Sequence, residues 1–187
     1  VGPKAAAFAA FFRVFADAFP EMSSSWEMLL SIIAVLSMFV GNLGAIMQTN
    51  IKRMLAFSSI SHAGYILMAI IAKNSLGSSS LLFYMLSYAF MTFGVFGIVI
   101  ILGRKGEENL EIKNYSGLAY KHPVIALSMT IFLLSLGGLP PFAGFVAKFY
   151  LFSAAMQEGL LTLVIIAVLN SAISFYYYLK VVVFMYM

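Results

Sequence analysis

From Pro123 to Gln157 the chain runs for 35 residues with one charge, Lys148. As a single straight helix, that stretch would be about 50 Å long, against a bilayer core of about 30 Å. A membrane interior suits its composition, but something must break or tilt it. The break is expected at Leu139-Pro140-Pro141. Each proline removes a backbone donor and clashes one turn back, and Gly137, Gly138 and Gly144 make the region deformable. The rest of the chain is built the same way. Apolar spans are expected at Met28–Met47, Met54–Ala72, Leu81–Leu102 and Leu160–Met187, the last with Lys180 near its far end. Ala5–Phe19 is a shorter run that ends at Pro20 and a serine cluster. Gln48 to Arg53 reads as a polar hinge and Lys73 to Ser80 as a short loop. Gly103 to His122 is the one long hydrophilic stretch, and Pro123 suits the first turn of the helix after it. The expected fold is therefore all-α: one polytopic transmembrane bundle over residues 1–187, with six spans, five of them complete.

Composition closes the other routes. Hydrophobic residues make up 63% of the chain and charged residues 10%, where a soluble domain carries about 25% charged residues. A soluble enzyme domain and a disordered segment are both excluded. The net charge of +4 does not point to nucleic acid, because the basic residues sit between apolar runs, where membrane topology explains them. The absence of cysteine removes disulfides, thiolate metal sites and iron–sulfur ligation. The first residue is Val, and the apolar pattern is running at both ends, so the chain reads as an internal piece of a longer one. Hairpin alternation puts 48–53 and 103–122 on one side, with Lys52, Arg53, Arg104, Lys105, Lys113 and Lys121. Glu21, Glu27, Lys73 and Glu158 fall on the other. The positive-inside rule makes the first side cytoplasmic, and Lys180 would snorkel toward it.

Few residues can carry chemistry. Lys148 lies two turns beyond the Pro-Pro break, where freed carbonyls and water gather. Charge there is expensive, and an intramembrane lysine usually faces a wet cavity or a partner. It either takes and releases a proton or simply bonds those carbonyls. Lys4 is a second intramembrane lysine or an interfacial one. His62 sits among Ser58, Ser61 and Tyr65. Histidine titrates near physiological pH, and these hydroxyls would extend a hydrogen-bonded chain; the plain alternative is an interhelical hydrogen bond. Arg13 and Asp17, at i and i+4, read as a structural pair. His122 reads as a helix start. The pattern contains no P-loop, HExxH, GxSxG or GxGxxG in a suitable context.

Two segments carry a resemblance. Gly41 to Tyr65 (GNLGAIMQTNIKRMLAFSSISHAGY) and Leu134 to Tyr150 (LSLGGLPPFAGFVAKFY) closely resemble the antiporter-like, proton-translocating membrane subunits of NADH-quinone oxidoreductase, respiratory complex I. Gln48–Arg53, Lys148–Phe152 and the run Phe175–Lys180 look like the subunit N branch of that family. The resemblance covers essentially the whole chain. It implies a fold of about fourteen helices with two inverted five-helix repeats, of which this chain would supply the eighth through thirteenth. Lys148 matches the lysine of the broken twelfth helix, near the outlet of the proton path. Lys4 matches the central lysine of the eighth, and His62 a polar position on the central axis. The resemblance also implies no redox centre, metal or cofactor in this chain: NADH, FMN, iron–sulfur clusters and quinone belong to other subunits. The implied partners are other membrane-arm subunits, the lipid bilayer and protons, without nucleic acid. The implied location is a bacterial inner (cytoplasmic) membrane. The family's intramembrane glutamate, the lysine of its seventh helix and its fourteenth helix have no counterpart here, so this piece alone is not expected to pump. A multi-subunit Mrp-type Na+/H+ antiporter shares the fold and is the alternative, and a purely architectural role is a third reading.

Overall fold

The computed structural model describes residues 2–15, 23–103 and 110–187. In chain order the helices are α1 (Gly2–Arg13), α2 (Ser23–Ile46), α3 (Ile51–Ile71), α4 (Ser75–Leu102), α5 (Leu118–Lys121), α6 (Pro123–Gly137), α7 (Ala143–Gln157) and α8 (Leu161–Tyr186). A single 3-10 turn, Ile112–Tyr115, precedes α5. Among the described residues the only extended pairing is an isolated bridge between Asn50 and Glu111, so the all-α expectation holds.

Among the described residues four helices, α2, α3, α4 and α8, are long and apolar enough to cross a membrane. The expected six spans are not all met in that sense. The described part of α1 has 12 residues, and α6 and α7 have 15 each, about 22 Å at 1.5 Å per residue. α3 is the central helix: 72% of its most apolar window is buried inside the bundle, against 39% for the other three. Large apolar side chains such as Leu36, Phe90, Ile100 and Leu169 stand outward, as lipid contact requires. The α2–α3 hairpin packs almost backbone to backbone. A Cβ on Gly41 would sit 2.4 Å from the Ser61 amide nitrogen; small residues permit this approach where apolar burial cannot drive helix association.

Polar caps shift two boundaries from the sequence reading. Asn50 accepts from the Arg53 amide at 3.1 Å, so α3 starts three residues before Met54. Asn74 accepts from the Gly77 amide at 2.6 Å, so α4 starts at Ser75 and Ser78 to Ser80 lie inside it. Serines cluster in loops because their hydroxyls compete for the backbone. Here Ser78 and Ser80 bond carbonyls of their own helix, at Asn74 and Gly77.

The two ends of the bundle carry the expected residues. At one end Lys73 meets Glu27 at 2.7 Å, and Asn74 donates to Glu158 at 2.9 Å. At the other, the stretch read as a hydrophilic loop is docked from 110 onward. The Ile51 amide donates to Leu110 O at 2.8 Å, Ile112 to Thr49 O at 2.9 Å, and Gly117 to Phe184 O at 3.3 Å. Ile112, Tyr115 and Leu118 are buried by it. A purely solvated loop would leave these apolar residues in water. Burial also pushes the Tyr115 phenol up to about 12. Arg104 and Lys105, like Asp17 of the expected Arg13–Asp17 pair and Glu21, lie outside the described residues.

Candidate functional site: a buried lysine beside a helix break

α6 ends at Gly138, which adopts a left-handed φ of 88°. Its amide and that of Leu139 return to Ser135 O and Leu134 O at 3.0 and 3.1 Å. This is the standard glycine termination of a helix. Pro140 and Pro141 follow in the connector, joined by a cis bond, and α7 starts from Phe142 as N-cap. The chain therefore leaves helical geometry at the glycine, two residues before the first proline. The two short helices stay in contact. The Gly144 amide donates to Ser135 Oγ at 3.1 Å, and a Cβ on Gly144 would fall 1.7 Å from Ser135 O.

Lys148 stands one turn into α7 and is 3% exposed. Its Nζ donates to Gly137 O at 2.9 Å, a carbonyl at the end of α6, and to Ser171 Oγ of α8 at 2.8 Å. The ring centre of Tyr65 lies 5.0 Å from Nζ, within cation–π range. Any side chain at Gly138 would press on this lysine, since a Cβ there would lie 2.9 Å from Lys148 Cδ. Beside the ammonium is a cavity of about 390 Å³ bordered by Leu139, Phe149, Val168 and Ser171. No ion pair to Lys148 occurs among the described residues.

His62 of α3 centres a second polar set. Its Nδ1 is 2.6 Å from Tyr84 OH and its Nε2 3.2 Å from Tyr178 OH. Tyr178 OH in turn is 2.5 Å from Ser58 Oγ. A neutral imidazole donates through one nitrogen and accepts through the other. Each phenol can do either, so the set can be written with its protons running in both directions. The Tyr88 ring lies 4.8 Å from the His62 ring, tilted by 41°. Lys4 of α1 is half-buried, donates to Ser59 O and lies 5.8 Å from the Tyr88 ring centre. Tyr65 closes the interval on the other side, with its ring 6.1 Å from His62 and its hydroxyl on Ala167 O at 3.4 Å. A third set joins α2 to α8: Asn42 donates to Asn170 O and Oδ1 at 2.9 and 3.0 Å, and Tyr177 donates to Asn42 Oδ1 at 3.2 Å.

The structure thus places Lys4, His62 and Lys148 in succession, with the Tyr88 ring between the first two and the Tyr65 ring between the last two. No hydrogen bond directly joins Lys4, His62 and Lys148 among the described residues. Ser58 is in the histidine set through Tyr178, whereas Ser61 Oγ is buried without a hydrogen-bond partner among those residues. The sequence reading missed Tyr84, Tyr88, Tyr177, Tyr178, Asn42, Asn170 and Ser171. The available signal was polar groups recurring on one face of apolar α8, at 170, 174, 177 and 178. His122 is exposed and precedes α6 as expected. No group of three His, Asp or Glu suited to a metal occurs among the described residues.

Long apolar helices packed around buried lysine and histidine hydrogen-bond sets define a polytopic helical membrane protein. The chain belongs to the NADH:quinone oxidoreductase/Mrp antiporter transmembrane family, whose sequence model matches residues 1–174. It is 56% identical to NADH-quinone oxidoreductase subunit N of Trichlorobacter lovleyi, over 99% of this chain and 38% of that protein. It therefore spans about two-fifths of that relative's length. It is similar in structure to a chain of respiratory complex I from Thermus thermophilus with bound aureothin, with a TM-score of 0.78 and 36% identity, covering 97% of this chain and 39% of that one. It is also similar to a chain of the Mrp complex from Dietzia, with a TM-score of 0.86 and 29% identity, covering 97% of this chain and 34% of that one.

Proposed function

We propose that this chain is part of a membrane-arm subunit of an NADH-quinone oxidoreductase and carries protons rather than electrons. Electron transfer from NADH to quinone takes place in partner subunits, and its energy drives proton movement here through Lys4, His62 and Lys148. Placing positive charge near a protonated lysine disfavours its charged form, so coupled lysines pass protons in steps. In this reading α6, the 138–142 connector and α7 together make one broken span, and α1 is the remainder of another, which restores six. The basic end with residues 48–53 and 110–121 faces the cytoplasm of a bacterial inner membrane.

The observation that carries the reading is Lys148: 3% exposed, beside a helix break, held by a carbonyl and a hydroxyl rather than a carboxylate. A permanently charged structural lysine is normally paired when buried. The test is Lys148→Met in the full-length protein within its complete complex, with NADH-driven proton uptake and NADH:quinone turnover both measured. Loss of uptake in an assembled complex is expected. Full uptake overturns the reading. Impaired assembly with unchanged uptake per complex would support an architectural role.

The likeness to the Dietzia Mrp chain favours a second reading, a subunit of a Na+/H+ antiporter. The 56% identity to subunit N of Trichlorobacter lovleyi, against 29% to the Mrp chain, favours the first. Proton exchange driven by a sodium gradient without NADH would decide for the antiporter.

A further inference from the structure

The contacts of Lys148 differ in what they can give back. An ammonium has three hydrogens to donate and an amine has two, plus a lone pair. Gly137 O can only accept, and the face of the Tyr65 ring offers no hydrogen. The Tyr65 hydroxyl is directed to Ala167 O. Ser171 alone among these contacts can do both. Its Oγ is 2.8 Å from Nζ and 3.5 Å from Gly137 O, so its own hydrogen has somewhere to point while Lys148 is charged.

We propose that Ser171 is a positioning residue for proton exchange at Lys148, its hydroxyl accepting from the ammonium and turning to donate to the neutral amine. Nζ keeps its electron pair and the proton passes to water. The Ser171 hydrogen swings from the Gly137 carbonyl to that electron pair. Both charge states are then hydrogen-bonded with the heavy atoms in place, which keeps the cost of reorganisation low. Without the hydroxyl, the neutral state would bury an unsatisfied lone pair and the charged state would lose an acceptor. The other buried titratable groups on the helices packed against α7 are His62 and Tyr65 on α3, Tyr84 and Tyr88 on α4, and Tyr177 and Tyr178 on α8. α6 contributes none.

This inference rests on the proton-carrying reading above, and the experiment separates the two. NADH-driven proton uptake is measured across pH in sealed membrane vesicles holding the complete complex. The bond to the ammonium is charge-assisted and the stronger of the two, so its loss favours the neutral form. Ser171→Ala is expected to move the alkaline limb of the pH profile down by about half to one pH unit and to slow uptake. Ser171→Thr keeps the hydroxyl, and the adjoining cavity admits its methyl group, so it is expected to follow the parent profile. An unmoved profile in Ser171→Ala, or an equal shift in Ser171→Thr, overturns the proposal. If the alanine variant does not assemble, Ser171→Cys, a weaker donor and acceptor of similar size, is expected to give a smaller shift in the same direction; a parent profile overturns the proposal. Lys148→Met is run alongside. Full uptake there defeats the proton-carrying reading, whereas loss there with a parent profile for the serine variants defeats only this one.

Discussion

Lys73 and Lys148 are both hydrogen-bonded, yet they solve the problem of a lysine in a membrane protein in opposite ways. Lys73 sits in the turn between α3 and α4, about a third exposed, 2.7 Å from Glu27 and 4.5 Å from the centre of the Trp26 ring. A carboxylate and an aromatic face both favour the charged form, and nearby water lowers the cost of keeping it. Lys148 has a carbonyl, a hydroxyl and a phenol ring, no counter-ion among the described residues, and little water. An ion pair fixes a charge. Neutral partners hold the atom and leave the charge free to change. In the proposed function, that difference separates an anchoring lysine from one that exchanges a proton.

The comparison can be broken most directly at Lys148. Lys148→Met is expected to abolish proton uptake in an assembled complex, and Lys148→Arg, which cannot release its proton, is expected to do nearly the same. Normal uptake in the arginine variant would show that positive charge is enough and proton exchange is not needed. The next effect is at Gly138. Alanine there meets both the left-handed φ and the Lys148 side chain, at about 1–2 kcal/mol for the backbone alone. Lower thermal stability of the solubilised complex, together with slower uptake, is the expected outcome, and an unchanged melting temperature would count against it. Tyr84→Phe sharpens the comparison one step further inside. It removes the partner of His62 Nδ1 at about 1 kcal/mol. Uptake is expected to fall several-fold with assembly intact, whereas unaltered uptake would take Tyr84 out of the path. The smallest effect belongs to Lys73→Met. An exposed pair contributes less than about 1 kcal/mol, so stability should change by no more than that and uptake should stay near the parent rate. A loss equal to that of Lys148→Met would erase the distinction between the two lysines.

Much of this was legible before any coordinates. The long apolar runs located α2, α3, α4 and α8. A single lysine in 35 residues, following two prolines, marked the stretch in which α6 ends and α7 begins. What stayed hidden has physical causes. The cap at Asn74 decides where α4 begins, and its serines were misread as loop because isolated hydroxyls look alike in turns and first turns. The docking of 110–121 depends on backbone amides at 51, 112 and 117, which every sequence possesses and none advertises. Tyr178, Ser171 and Asn170 were passed over because a phenol, a hydroxyl or an amide in an apolar helix is cheap enough to occur anywhere. Only the neighbouring helix shows which of them point inward. Ser61, picked from its place beside His62, is buried there, while Ser58 is the serine that reaches the histidine through Tyr178.

Asn170, Ser171, Tyr177 and Tyr178 all belong to α8, within nine consecutive positions. One stiff rod thus holds the Asn42 pair, the Ser171 hydroxyl that accepts from Lys148, and the Tyr178 contact with His62. Such a rod works as a shaft with three cams. Sliding or turning it far enough to part Ser171 from Lys148 also loads the amide pair and the histidine contact in the same stroke. The three contacts are linked mechanically because one helix carries them all.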